Sequence, residues 1–291
     1  MRWNFGDLPE EFSSFKLSKV LILPLAYEKT ASYLKGTKEG PRAIIEASQY
    51  MELYDEELDT ETYKIGIHTL PQITSEEAPQ IMIEKIATKV SQLCRNNKFI
   101  LSLGGEHSIT IGIVKGLKDF YDNLSVLLLD AHADLRNEYE GEKFSHACVA
   151  RRLNEMLPIT IVGVRSLSAE EAEYIKSHPL NIFFAMKMLK REDWQEEIIS
   201  TLSENVYLSI DLDVFDPSNM PAVGSPEPGG LGWYEILNFV RVLCRQRNII
   251  SSDIVELSPH QGVVSSDFAA AKLAYKLLGY IFKGKEAHIQ S

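Results

Sequence analysis

Short apolar runs recur along the chain and alternate with longer segments whose apolar residues follow helical spacing. In segment 75–97, Ile81, Ile86 and Val90 recur at intervals of about 3.6 residues, which predicts a helix. Segments 99–103 and 126–129 are too short for helices and almost entirely apolar, which is typical of strands buried on both faces of a sheet.

The same criteria predict regular elements along most of the chain. The predicted strands are 19–25, 99–103, 125–130, 159–164, 181–185, 206–212 and 249–257. The predicted helices are 36–48, 75–97, 108–121, 147–156, 169–177, 191–202, 233–245 and 267–282. This alternation indicates an α/β fold of parallel strands with helices on both faces of the sheet. We expect one domain over residues 1–291, because no change of composition marks a linker.

Composition and net charge indicate the class of protein and argue against some classes of partner. The 291 residues are 45% hydrophobic and 24% charged, which is ordinary for a soluble globular chain. The net charge of −11 argues against nucleic acid as a partner and is compatible with a cationic substrate. No apolar run approaches the roughly 18 residues of a membrane span. Without a secretory signal, Cys94, Cys148 and Cys244 are expected to be reduced thiols of a cytoplasmic protein.

Three polar residues follow the apolar strand at 126–129. Asp130, His132 and Asp134 are spaced two apart, so an extended backbone places them on one side. Carboxylates at the end of a buried strand are unfavourable unless a positive group compensates them. Oxygen and imidazole ligands suit manganese, zinc or iron, so this segment predicts a metal site, with a salt-bridged strand end as the alternative.

Three other strand ends carry similar residues. His107 follows two glycines after the strand at 99–103, and Asp211 and Asp213 share a face at the end of the strand at 206–212. Glu256 lies at the end of the last strand. Ligands in open α/β sheets bind at the carboxyl ends of the strands, so we expect these side chains to meet. They are sufficient for two metal ions, which together can hold and deprotonate a water.

Formal charge favours a cationic substrate for such a site. Two divalent ions contribute about +4, four aspartates about −4 and a hydroxide about −1, so the cluster is close to −1 overall. An ionised Glu256 makes it more negative. A pocket of this charge favours hydrolysis of a C–N bond in a cation over hydrolysis of a phosphate ester.

Several motifs resemble those of the ureohydrolases, the arginase and agmatinase family. They are 35–36 (KG), 40–44 (GPRAI), 104–108 (GGEHS), 130–134 (DAHAD), 209–217 (SIDLDVFDP) and 224–230 (GSPEPGG). The resemblance implies a three-layer αβα fold with a mostly parallel sheet, usually of eight strands. It also implies a site with two Mn²⁺ ions per chain, hydrolysis of a guanidinium group to urea and an amine, and assembly into homotrimers or homohexamers.

The resemblance also implies roles for individual residues. Glu256 matches the carboxylate that positions the guanidinium, and His146 matches a loop histidine that shuttles a proton. An imidazole of ordinary pKa suits that task. The implied metal ligands are His107, Asp130, His132, Asp134, Asp211 and Asp213.

The substrate expected from the sequence is agmatine, cleaved to putrescine and urea in polyamine biosynthesis. Ser168 stands where arginase has the aspartate that supports the α-amino group, and segment 142–146 (EKFSH) lacks the Asn-rich loop of arginase. Segment 145–152 (SHACVARR) is similar to agmatinase-type members. Aminopropylagmatine, guanidinobutyrate and arginine remain alternative substrates. Two further alternatives are a single-zinc, deacetylase-like amidohydrolase and a metal-stabilised binding protein without catalysis.

Overall fold

A computed structural model of the chain describes residues 3–287, with a parallel sheet as its centre. The strand order is β2-β1-β4-β9-β8-β5-β6-β7, and β3 pairs with β1. Within the described residues the strands are β1 (Val20–Ala26), β2 (Ile67–Thr69), β3 (Ile73–Thr74), β4 (Phe99–Gly104), β5 (Leu124–Leu129), β6 (Ile159–Val164), β7 (Asn181–Phe184), β8 (Asn205–Asp211) and β9 (Asn248–Val255). The α/β class with a parallel sheet is therefore confirmed.

Helices cover both faces of this sheet. They are α1 (Glu10–Ser13), α2 (Gly40–Ser48), α3 (Pro79–Cys94), α4 (Ile109–Leu117), α5 (Val149–Asn154), α6 (Ala169–Ser177), α7 (Ala185–Met188), α8 (Trp194–Ser200), α9 (Trp233–Gln246) and α10 (Ser265–Ala287). Alternate residues of β5 enter two separate cores: Leu127 and Leu129 pack in one, Val126 and Leu128 in the other. A strand that is apolar on both faces therefore produces the three-layer αβα arrangement.

The predicted elements agree with the structure except in short segments. The two-residue and three-residue strands β3 and β2 lie where no strand was predicted, because so few residues show no periodicity. The helix predicted over 191–202 is shorter, Trp194–Ser200. No helix in the described part of the chain has the length and apolar character needed to cross a membrane.

The order and register of the central strands bring four polar strand ends to one edge. β4, β9, β8 and β5 are consecutive in the sheet. Leu103 is paired with Ile254, Ile254 with Ile210, and Ile210 with Leu129. Since all four strands are parallel, the residues that follow this row emerge side by side at the carboxyl edge.

Candidate metal centre

His107 lies at the centre of a group of buried carboxylates. Its Nδ1 is 3.2 Å from Oδ2 of Asp130 and 3.3 Å from Oδ2 of both Asp134 and Asp211. These residues come from the ends of β4, β5 and β8, which the register aligns. His107, Asp130 and Asp211 each present a ligand atom within 4.8 Å of the others, which is close enough to hold one ion.

Asp130 belongs to a second group of ligand atoms that adjoins the first. His132 Nδ1 is 2.8 Å from Oδ2 of Asp213 and 3.6 Å from Oδ1 of Asp130. The three residues again offer ligand atoms within 4.8 Å of one another. The six residues that the sequence predicts as metal ligands therefore lie together, and Asp130 is positioned to serve two ions.

Main-chain amides fix one oxygen of three of these aspartates. Oδ1 of Asp130 accepts the His132 amide at 2.5 Å, and Oδ1 of Asp211 accepts the Asp213 amide at 2.9 Å. Oδ1 of Asp213 accepts the amide of Ala131 at 3.0 Å. In each case Oδ2 is the atom that faces a histidine of the cluster. The i, i+2 spacing thus orients Asp130 and Asp211, whereas Asp213 is oriented by an amide from the neighbouring strand end.

A buried network behind His107 fixes the orientation of its ring. Ser209 Oγ donates to Asp253 Oδ1 at 2.6 Å, so its lone pair accepts from His107 Nε2 at 3.0 Å. Tyr207 and Thr110 donate their hydroxyls to the other oxygen of Asp253. In the neutral imidazole this contact leaves the lone pair on Nδ1, which is buried and has no hydrogen-bond partner among the described residues. Such an atom, surrounded by carboxylate oxygens, fits a cation.

The pKa shifts of the cluster residues also show that the cluster favours added positive charge. Although burial opposes it, neighbouring carboxylates raise the pKa of both His107 and His132. Burial, followed by the charge of Asp130, raises the pKa of Asp134 to about 7. Burial raises the pKa of Glu256 to about 8. In a cluster of excess negative charge, protons bind more tightly to the ionisable groups, and divalent cations neutralise the same charge.

Five of the six predicted ligands, all except Asp130, line a cavity of about 240 Å³. Glu256 and His146 both line it, as do Tyr139 and Ser168. Glu256 Oε1 accepts the main-chain N–H of His107 at 2.6 Å, which ties this carboxylate to the ligand loop. The two residues predicted to act on the substrate therefore share a cavity with the predicted metal ligands.

Some residues that organise the site were not identified from the sequence. Asp253 was one of these, although a carboxylate inside the apolar segment 249–257 is a signal of a buried network. Arg165 Nη2 donates to the carbonyls of Asp213 and Glu227, at 2.6 and 2.8 Å, and so ties the loop after β8 to β6. The Glu227 carboxylate lies 3.9 Å from His132 Nε2, at the rim of the cluster.

Comparison with known proteins identifies relatives over nearly the whole chain. A model of the Arginase family matches residues 18–279. An N(1)-aminopropylagmatine ureohydrolase from Synechocystis is 41% identical over 280 residues, covering 93% of this chain and 92% of the relative. An agmatinase from Pyrococcus horikoshii is 36% identical, and the match covers 89% of this chain and 90% of the agmatinase. The crystal structure of agmatine ureohydrolase from Thermoplasma volcanium has 29% sequence identity to this chain and a TM-score of 0.90. The match covers 99% of this chain and 97% of that one.

Proposed function

The chain belongs to the arginase family, and from that premise we propose that it is a ureohydrolase with two manganese ions per chain. Its proposed substrate is N(1)-aminopropylagmatine, which it cleaves to urea and an amine. The observation that carries the proposal is the pair of ligand groups that share Asp130, whose other members line one cavity. A single zinc site would require only one of those groups, so the arrangement favours two ions over the deacetylase-like alternative.

The proposed ions would be held by the residues of the cluster in two sets. His107, Asp130 and Asp211 fit one ion, and Asp130, His132 and Asp213 fit the other. Asp134 faces His107 and completes the first set. When bound, such ions acidify water and so supply a nucleophile at neutral pH.

Glu256 is the proposed binding group for the guanidinium. The carboxylate is half-buried at the wall of the cavity, and it is held in place by the His107 amide. A carboxylate presents two oxygens that match the paired N–H groups of a guanidinium. This contact would orient the guanidinium carbon towards the ligand cluster and neutralise the charge of the substrate.

His146 is the proposed proton carrier. The pKa of His146 is not the ordinary one expected from the sequence: burial, followed by the charges of His132 and His107, lowers it to about 4, so the imidazole is neutral at pH 7. A neutral imidazole accepts the proton that the attacking water releases and then donates it to the departing amine nitrogen. The C–N bond breaks as that nitrogen is protonated, and the carbon leaves as urea.

The charges along the cavity favour a substrate with additional amines over arginine. Five carboxylates line it: Asp134, Glu171, Asp211, Asp213 and Glu256. Arg136 is the one lysine or arginine among the described residues that line the cavity, and its Nε lies 3.9 Å from Glu171. Ser168 donates its hydroxyl to Glu171 in the cap of α6, so it does not replace an amine-binding aspartate. An α-carboxylate would be repelled by this lining.

The relatives favour aminopropylagmatine over agmatine, the substrate expected from the sequence. Proteins named N(1)-aminopropylagmatine ureohydrolase are 41% identical in Synechocystis and 32% identical in Thermus thermophilus. Agmatine is the second candidate, because the agmatinase of Pyrococcus horikoshii is also similar.

Urea release tests the proposal directly. The protein is saturated with Mn²⁺, its metal content is measured, and kcat/KM is determined for aminopropylagmatine, agmatine, guanidinobutyrate and arginine. We expect two ions per chain and the highest kcat/KM with aminopropylagmatine. A higher value with agmatine would reverse the choice of substrate. Absence of urea from all four compounds at full metal loading would refute the ureohydrolase, and one ion per chain would support the deacetylase-like alternative.

A further inference from the structure

Thr30 contacts His146 through two atoms of the histidine. Thr30 Oγ1 lies 3.1 Å from Nδ1 of His146 and accepts the main-chain N–H of the same residue at 3.0 Å. The two residues are 116 positions apart in the sequence, so the contact exists only in the folded protein. Thr30 is therefore the residue that touches the side of the imidazole ring carrying Nδ1.

The hydroxyl proton of Thr30 is directed away from His146, towards a buried carboxylate. Thr30 Oγ1 donates to Glu106 Oε1 at 3.0 Å. Glu106 also accepts the main-chain N–H groups of Lys29 and Thr30, at 2.7 and 2.6 Å, and the hydroxyl of Ser108 at 2.5 Å. Four groups therefore donate to this carboxylate, and its two oxygens act as acceptors.

A hydroxyl has one proton and two lone pairs. With the proton of Thr30 donated to Glu106, both lone pairs accept, one from the His146 amide and one from Nδ1–H. We infer that Thr30 and Glu106 are positioning residues that hold His146 as the Nδ1–H tautomer and leave Nε2 free to accept a proton in the cavity. This inference rests on the proton-carrying role of His146 proposed above.

Other contacts of the imidazole are compatible with this assignment. Ser145 Oγ is farther from Nδ1, at 3.3 Å; it accepts the Ala147 amide with one lone pair and retains a second with which it can accept Nδ1–H. The Tyr139 ring meets the His146 ring edge to face, with 5.6 Å between centroids, and fixes the plane of the ring. Nε2 has no hydrogen-bond partner among residues 3–287. A neutral imidazole has one N–H, so the contact of Nδ1 determines which nitrogen is basic.

The variants Thr30→Val and Thr30→Ser separate the effect of the hydrogen bond on activity from the effect of side-chain shape. Valine keeps the volume of threonine but has no hydroxyl, so we expect kcat to fall about 10- to 100-fold, within the range of acid–base catalysis. KM should change less than about threefold, because Thr30 does not bind the guanidinium. Serine keeps the hydroxyl and should restore most of kcat. Thr160→Val is the matched control, since Thr160 is buried near the start of β6, away from the cluster, and its hydroxyl is hydrogen-bonded to that of Thr201.

A double-mutant cycle tests whether Thr30 acts through His146. If it does, adding Thr30→Val to His146→Asn should cause no further loss of kcat. Thr30→Ala provides a second variant in case valine prevents folding, which the unfolding transition in urea would reveal.

The tautomer of His146 can also be determined without measuring activity. Nitrogen–proton correlation spectra of the metal-free, full-length chain with ¹⁵N-labelled histidine distinguish Nδ1–H from Nε2–H, and His146→Asn identifies the signal. We expect Nδ1–H in the wild type and Thr30→Ser, and a mixture of tautomers in Thr30→Val.

Two results would overturn the inference. One is a Thr30→Val enzyme whose kcat matches that of Thr160→Val at equal metal content. The other is an Nε2–H tautomer in the wild type. The spectra decide the tautomer even if no guanidine compound is hydrolysed, so failure of this inference and failure of the proposed function are distinguishable.

Discussion

Replacing Ser209 by alanine should weaken metal binding without disturbing the sheet. Ser209 accepts from His107 Nε2 at 3.0 Å and donates to Asp253 at 2.6 Å, and all three residues are buried. Without the hydroxyl, Nε2–H of His107 has no acceptor, and the ring is free to place its proton on Nδ1. A proton on Nδ1 competes directly with an ion for the same lone pair.

The size of the effect follows from the loss of one buried acceptor. A buried donor left without a partner costs about 1–3 kcal/mol. Loss of a group that orients a metal-binding histidine lowers metal affinity about 10- to 100-fold, equivalent to about 1.4–2.8 kcal/mol. We therefore expect the Kd of the first Mn²⁺ ion to rise by about one to two orders of magnitude.

Calorimetric titration of the metal-free protein with Mn²⁺ measures this Kd. Ser252→Ala is the matched control, because Ser252 is buried in the same sheet and donates to the Leu208 carbonyl at 2.6 Å, away from the cluster. Both variants lose one hydroxyl and should show similar unfolding curves when metal-free. Equal Mn²⁺ affinity for Ser209→Ala and Ser252→Ala would refute the role given to the network.

Three further changes have defined outcomes. Asp211→Asn should abolish metal-dependent urea release while the circular dichroism spectrum stays unchanged, because the amide weakens the ligand set around His107. The metal-free protein should lose thermal stability as the pH rises from about 4 to about 8. The pKa values of Asp134 and Glu256 are raised by folding, so the folded state binds more protons than the unfolded state in this pH range. The stabilisation from these two groups is therefore complete below about pH 4 and is lost as the pH rises to about 8. Lys276→Met should lower the free energy of unfolding by about 3–5 kcal/mol in urea titrations, because buried Asp55 loses the ammonium 2.8 Å away.

Each of these outcomes has a control and a result that would contradict it. For Asp211→Asn, the control is Asp193→Asn on the surface, and urea release at the wild-type rate by the Asp211 variant would exclude the metal mechanism. For the pH dependence, the control is the Mn²⁺-saturated protein, in which the decline should be smaller, and a metal-free stability that rises across this window would contradict the assignment. For Lys276→Met, the control is Arg42→Ala, whose exposed pair with Glu46 contributes little, and an equally small loss of stability in both variants would contradict the prediction.

The central elements of the fold were predictable because their signals are local. The apolar runs that became β4, β5, β8 and β9 each carry enough buried residues to identify a strand without knowledge of its neighbours. Strands β2 and β3 were missed because an edge strand of two or three residues is defined by its pairing with β1, which local pattern does not record. The i, i+2 spacing predicted side chains that do meet, but not through the extended backbone that was expected: Asp213 lies in a 3-10 helix, Leu212–Val214, and Asp134 has a φ of 50°.

The sequence by itself therefore determined the alternation of strands and helices and the identity of the candidate ligands. The tertiary structure alone decided that β9 lies between β4 and β8, and that the ends of four strands align in one row. It also decided which nitrogen of each histidine is available, since Ser209 faces His107 from another strand and Thr30 faces His146 from another loop. The reason is physical: a side chain's covalent structure limits where its protons can be, but the partner across the fold selects among those positions.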